Sequence, residues 1–271
     1  MNIHLSQLNP LNFTEVKDNH SGELQREYVQ QFFPQDYIRL QVIGSADLEV
    51  ICQVANITFS FRDIRQFNAD LWVYNVTISA DLLPMYELIG VTLRIIDKNT
   101  NEYVLLNSQS YIEVVDECET LKLIEYTNKG NISAFSTFFD EDIKFQLRLP
   151  LGYKSTSYAD RLVSETFRNQ NQEIRHLYAY PYQTKTLIIG DGLGIPYWMA
   201  KLINYIFCLS DVSIGNEKVV RSDDSVPERQ GGMDGYPLHI YNMVVERQDS
   251  QLSYNIELGD FNNDFSNDFL I

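Results

Sequence analysis

Along most of this chain apolar and polar residues alternate with a period of two, the signature of half-buried strands. Tyr37–Ile43 sets Ile, Leu and Val against Tyr, Arg and Gln. Leu48–Phe61 carries Val50, Cys52 and Val54 on one parity, then Ile57, Phe59 and Phe61 after a one-residue shift that predicts a bulge or turn. Leu71–Ser79 alternates cleanly. Leu88–Ile96 and Glu102–Val115 flank the polar run Asp97–Asn101, which predicts a hairpin loop. Further on, Leu121–Tyr126, Ile143–Leu149 and Leu177–Ile189 read as strands, with a looser section between residues 150 and 175. Asp211–Arg221 reads as a hairpin around Gly215-Asn216, residues that tolerate positive φ. Leu238–Val245 and Leu252–Leu258 read as a last strand pair, and Ser222–Tyr236 as an exposed, acid-rich loop.

Helical spacing occurs in two places. Leu24, Tyr28 and Phe32 stand at i, i+4 and i+8 within a polar N-terminal stretch, predicting a short helix or arm that ends at Pro34. Ile195–Leu209 is the firmer helix. Pro196 suits a first helical turn, and nearly the whole circumference is apolar apart from Lys201 and Asn204. Such a helix must lie against a sheet or in an interface. The expectation is a mainly β protein: one or two β-sandwich domains, a short helix near 195–209 and extended terminal arms. The divisions are an N-terminal arm (1–35), a first sandwich (36–118), a second β-rich domain with the helix (119–258) and a C-terminal docking tail (259–271).

Composition narrows the function. Among 271 residues, 37 acids against 21 bases give a net charge of −16. Nucleic-acid backbones are bound by clustered Lys and Arg, and no five-residue window holds more than two bases. Direct nucleic-acid binding is therefore not expected. The last fifth, residues 221–271, holds ten acids and three bases, −7 of the total. A partner with complementary basic groups would meet this part of the chain. No apolar run approaches the ~20 residues of a membrane-spanning helix. The start, MNIHLSQLNPLNF, has neither a basic nor an apolar leader region, which predicts synthesis in the cytoplasm without membrane insertion.

Candidate chemistry is sparse. Cys52, Cys118 and Cys208 form no metal-binding or disulfide pattern. Gly190-Asp191-Gly192-Leu193-Gly194 lacks the spacing of a nucleotide loop and predicts a strand-to-helix turn. Asp260, Asn262 and Asp264 start like a calcium loop, but Phe265 and Ile271 stand where Gly and Glu are required. His4, His20, His176 and His239 are isolated, and no nucleophile elbow occurs. The carboxylate clusters Asp116/Glu117/Glu119 and Asp140/Glu141/Asp142 fall on turns, where solvated charge is the ordinary explanation. No catalysis, cofactor or metal is expected.

Two features suggest partners. The tail GDFNNDFSNDFLI spaces Phe261, Phe265 and Phe269 four apart, and Asp260, Asp264 and Asp268 likewise, one residue earlier. The phenylalanines are candidate anchors on another subunit. Tyr180 and Tyr182, around Pro181, form a candidate aromatic platform in a chain of 17 Tyr, 15 Phe and 2 Trp.

The segments Leu121–Asn128, Tyr178–Asp191, Gly194–Trp198 and Asp211–Asp223 together resemble tail or baseplate-type structural proteins of bacteriophages and prophages of Bacteroidetes gut bacteria, over roughly residues 30–250. The resemblance implies a β-sandwich-rich virion component that joins neighbouring subunits and carries no family active site. Its partners would be other virion tail proteins and copies of itself, and its location the virion tail. The alternatives are a carbohydrate-binding or adhesin module, with Tyr rings stacking on sugars, and a glycan-cleaving enzyme acting through paired carboxylates.

Overall fold

The computed structural model describes residues 3–16, 28–45, 47–61, 63–66, 71–129, 135–139, 143–154, 159–168, 172, 174–231 and 236–247. Among these residues the chain is mainly β with one short α-helix, as the alternation requires. Its first half holds β1 (Ile3–Leu5), β2 (Phe13–Glu15), β3 (Tyr28–Phe32), β4 (Tyr37–Gly44), β5 (Leu48–Val54) and β6 (Ile57–Ser60). Then follow β7 (Asp63–Gln66), β8 (Trp72–Ser79), β9 (Val91–Asp97), β10 (Tyr103–Ser108) and β11 (Ser110–Val114). One sheet runs β1-β4-β8-β7 and the other β2-β10-β9-β5-β6. Ile38, Leu40 and Val42 of β4 join Val50, Cys52 and Val54 of β5 and Leu93 and Ile95 of β9 in one core. Every second residue of these strands is buried, so the period of two became two sheets with a shared interior.

The second half holds β12 (Leu121–Thr127), β13 (Phe145–Tyr153), β14 (Ala159–Arg168), β15 (Ile174–Ile189) and β16 (Ile195–Pro196). Helix α1 (Tyr197–Ile206) follows. The chain continues through β17 (Asp211–Ile214), β18 (Glu217–Arg221), β19 (Glu228–Arg229), β20 (Leu238–His239) and β21 (Tyr241–Arg247). This second sandwich is closed. β13 pairs with β12, β12 with β17, β17 with β18, β18 with β21, β21 with β15, and β15 returns to β13, all antiparallel. Closure removes sheet edges. Met199, Ala200, Leu202, Ile203 and Ile206 of α1 are buried in the same cluster as Leu147, Leu187 and Met243 of the strands. The helix thus buries one apolar face among the barrel strands, while Trp198 and Tyr205 are partly buried and Tyr197 is exposed.

Several expectations are corrected. Within 1–35 the described residues form no arm: β1 and β2 pair into the two sheets, Leu8 and Leu11 are buried, and β3 runs parallel to β11. Tyr28 and Phe32 are four apart in a strand as well as on a helix face. Here Gln30 is buried between them, so the period is two. The shift in Leu48–Phe61, expected as a bulge or turn, is the turn, at Ala55-Asn56 with Ala55 at φ 52°. Glu102–Val115 is two strands, because the chain leaves one sheet at Gln109 to pair with β3. The looser section contains β14, and the 222–236 loop contributes β19 to β21. β21 lies between β15 and β18; Leu252–Leu258 lies outside the described residues.

The two halves are bonded to each other through buried groups. Tyr126 donates its hydroxyl to the Leu8 carbonyl at 2.7 Å, and the Gln41 side chain both donates to and accepts from the backbone of Phe138. Asp36, after β3, holds Arg148 of β13 at 2.5 and 2.6 Å, with both side chains almost fully buried. The guanidinium lies 3.7 Å from the Phe33 ring centroid, and Asp36 also accepts from the Phe33 N–H. A charge pair this dry persists only because each remaining polar atom is met.

Candidate interaction surface

The segment of β14 and β15 beyond the barrel is the most unusual surface of the molecule. Ala159 to Arg168 pairs with Thr184 back to Ile174, about 30 Å of two-stranded ribbon at ~3.4 Å per residue. Past Gln183 neither strand has another partner among the described residues. Arg161 stands opposite Tyr182, Val163 opposite Tyr180, and Glu165 opposite Tyr178. Opposed residues share a face, so Tyr178, Tyr180 and Tyr182 make one ladder, with the first two rings 5.6 Å apart. Leu162 faces the other way, opposite Pro181, and the Gln183 side chain donates to Asp160 at the ribbon's base. A bulge between Glu165 and Thr166 leaves Leu177 without an opposite residue.

Exposure here is large. Tyr180 is 66% exposed and Leu177 60%, and Leu162, Phe167 and Ile174 each stand more than half in solvent. Isolated surface apolars need no explanation, but several on one ribbon make it the candidate interaction surface. The bulge, Pro181 and interspersed charges blunt the ribbon against indiscriminate edge pairing. By sequence alone, residues 159–183 carry no net charge: Asp160, Glu165 and Glu173 against Arg161, Arg168 and Arg175.

Of the sequence-derived site residues, Tyr180 and Tyr182 sit on this ribbon, Tyr182 half-buried near its root. Phe261, Phe265, Phe269, Asp260, Asp264 and Asp268 lie outside the described residues. Sequence reasoning missed Leu162, Val163, Phe167 and Leu177. β14 has β-favouring Val, Thr and Phe but no alternation, which is how a strand with two wet faces looks.

A second exposed group lies in the first half, after a short 3-10 helix Ala80–Leu82. Leu82, Met85, Tyr86 and Leu88 are all exposed, yet the backbone is held: Tyr86 N–H donates to Val114 and Ile89 exchanges bonds with Ile112. Tyr86 has φ 59° and hydrogen-bonds the Asp116 carboxylate, which raises its hydroxyl pKa.

The remaining candidates hold little. The Gly190–Gly194 turn is structural: a Cβ on Gly194 would come 2.8 Å from the His239 nitrogen, at φ +83°. An opening of about 290 Å³ beside it is lined by Leu193, Tyr236, Leu238 and His239. Cys118 and Cys208 are exposed and Cys52 is buried, which pushes the Cys52 thiol up to about 12. A hydrogen bond with Thr120 lowers the pKa of Cys118. Among the described residues no group of His, Cys, Asp and Glu is placed to hold a metal ion, and no helix is long and apolar enough to cross a membrane. Comparison of the chain with protein-family models, curated proteins and solved structures finds no match.

Proposed function

We propose that this protein is a structural component of a bacteriophage virion tail, present in several copies and acting through subunit–subunit contacts rather than catalysis. The observation that carries this reading is the β14–β15 ribbon. It rises from a closed barrel and holds Leu162, Phe167, Ile174, Leu177 and Tyr180 out to water. A ribbon with both faces wet loses nothing intramolecular by being covered, so the apolar area it exposes is available to drive association. The resemblance to tail and baseplate-type proteins names the kind of assembly, and cytoplasmic synthesis followed by incorporation into the tail fits it.

The test joins Ala159 to Thr184 through a short turn. The shortened chain is expected to keep its barrel and its thermal transition, to remain monomeric by light scattering, and to be absent from particles. A native chain that is monomeric at every concentration and enters no particle overturns the reading.

A second reading rests on the Tyr178–Tyr180–Tyr182 ladder, a spacing on which sugar rings stack. It requires glycan retention by the native chain that Tyr180→Ala abolishes.

A further inference from the structure

Strand β21 points along the open edge of the ribbon. It runs antiparallel to β15, with Lys185 opposite Val245 and Thr184 opposite Glu246, and ends at Arg247 where β15 leaves the barrel. Lys154 N–H donates to the Thr186 carbonyl and Gly190 N–H to that of Pro150, so even-numbered residues of β15 turn their backbone groups toward β13. Further along they turn them toward β14, which lies on the same side, and odd-numbered residues turn theirs toward β21. Past Gln183 the Pro181 carbonyl and the Ala179 N–H and carbonyl therefore face an edge that no strand covers among the described residues. Both residues are exposed.

The sequence after β21 has the shape that edge requires. Residues 248–258 lie outside the described residues, but Leu252, Tyr254, Ile256 and Leu258 alternate with Ser253, Asn255 and Glu257, and Gly259 ends the run. In the register of β21, Gln248 falls opposite Tyr182, Ser250 opposite Tyr180 and Leu252 opposite Tyr178. Opposed residues share a face, so the first apolar residue of the run joins the tyrosine ladder. The length also fits: an eleven-residue strand spans about 37 Å, and Tyr182 to Ile174 about 27 Å.

We propose that residues 248–258 add to β15 of the same copy as a third strand, occupying the open edge of the ribbon. Main-chain bonds drive such strand addition, and Pro181, lacking an N–H, withholds one of them. The added strand ends at the tip, so Phe261, Phe265 and Phe269 emerge beside Phe167 and Ile174. A partner that meets the tip then meets the tail as well. The inference goes beyond the proposed assembly and does not depend on it.

Hydrogen exchange in the full-length chain reads the third strand through the Ala179 amide, which faces the edge in question. That amide is expected to exchange at least tenfold more slowly in the native chain than in Gln251→Pro/Ser253→Pro, with the Leu187 amide unchanged and no effect of tenfold dilution. In a Cys118→Ser/Cys208→Ser background, Tyr180→Cys/Ser250→Cys is a directly opposed, non-hydrogen-bonded pair, close enough for a disulfide. Under copper-phenanthroline oxidation it should close within one chain at least tenfold faster than Tyr180→Cys/Gln251→Cys, whose second thiol is on the other face.

The third strand is excluded if Ala179 exchanges alike in the native chain and the proline variant, or if the two cysteine pairs close at equal rates. A disulfide found only between copies gives the strand to a neighbour and overturns the proposal too. Neither failure touches the proposed function, which is read by ribbon removal.

Discussion

From Thr184 to Ile189, strand β15 has β21 along one side, and β13 meets it on the other from Leu187 onward; Leu187 and Ile189 are buried. From Ile174 to Gln183, among the described residues, only β14 lies beside it, and Leu177, Tyr178 and Tyr180 are exposed. Both stretches are β-rich and aromatic or aliphatic in composition. What separates them is neighbours. The barrel end is stabilised by burial from both flanks, whereas the ribbon is held by its own ladder and by continuity with the barrel. A strand can thus be anchored at one end and stand in water on both faces at the other.

The largest way to break this contrast lies at the anchored end, on β13. Arg148→Ala strands Asp36 as a buried, unpaired carboxylate between the halves and should cost about 3–5 kcal/mol in chemical denaturation. A change near zero would mean that water reaches Asp36 freely.

Two leucines on β15 sharpen it directly. Leu187→Ala should cost about 2–5 kcal/mol through a cavity in the barrel core. Leu177→Ala, ten residues earlier, should stay within about 0.5 kcal/mol in monomer stability. Equal effects would show the ribbon to be packed within the monomer.

The turn that leaves β15 provides a smaller test. Gly192→Ala meets open space and bears only the left-handed strain, about 1–2 kcal/mol. Gly194→Ala adds a clash with the His239 backbone and should cost more than Gly192→Ala in the same thermal melt.

The smallest effect is a pH dependence at the ribbon's root, where Glu246 of β21 stands opposite Thr184. Desolvation, and then the Asp223 charge, raise its pKa. A raised carboxyl pKa penalises the ionised form in the folded state, a penalty present above the folded pKa and absent below the unfolded one. Stability should therefore gain from this group as pH falls through the range just above ordinary glutamate. Glu246→Gln should remove that dependence and stabilise the protein modestly at neutral pH, measured by denaturant melts across a pH series.

Strands such as Leu71–Ser79 and Tyr37–Ile43 were legible because one face of each is apolar and packs in the core, Tyr74, Val76 and Ile78 on the first and Ile38, Leu40 and Val42 on the second. That their other faces are also partly buried, at Val73 and Asn75 and at Gln41 and Ile43, was not legible, because those positions mix polar and apolar residues. The helix was legible for the opposite reason, an apolar circumference around Pro196 and its following turns. β14 was not, since two wet faces impose no pattern, and neither was β3, since positions four apart fit either period. Of the ribbon's site, Tyr180 and Tyr182 stood out by residue type alone. The Leu82–Leu88 cluster did not, because what holds it outward is backbone bonding of Tyr86 and Ile89 to Val114 and Ile112, far along the chain.

By itself, then, the sequence determined the class of this protein: a mainly β chain with one helix and a net charge of −16 that disfavours nucleic-acid contact. Local alternation, helical spacing and charge are properties of neighbouring residues, so they can be read in order. The tertiary structure alone decided that six strands close into a ring, that Asp36 and Arg148 tie the halves, and that β15 outruns its neighbours. Those outcomes depend on pairings between residues far apart in the chain, whose cost in loop closure and gain in burial no local window contains.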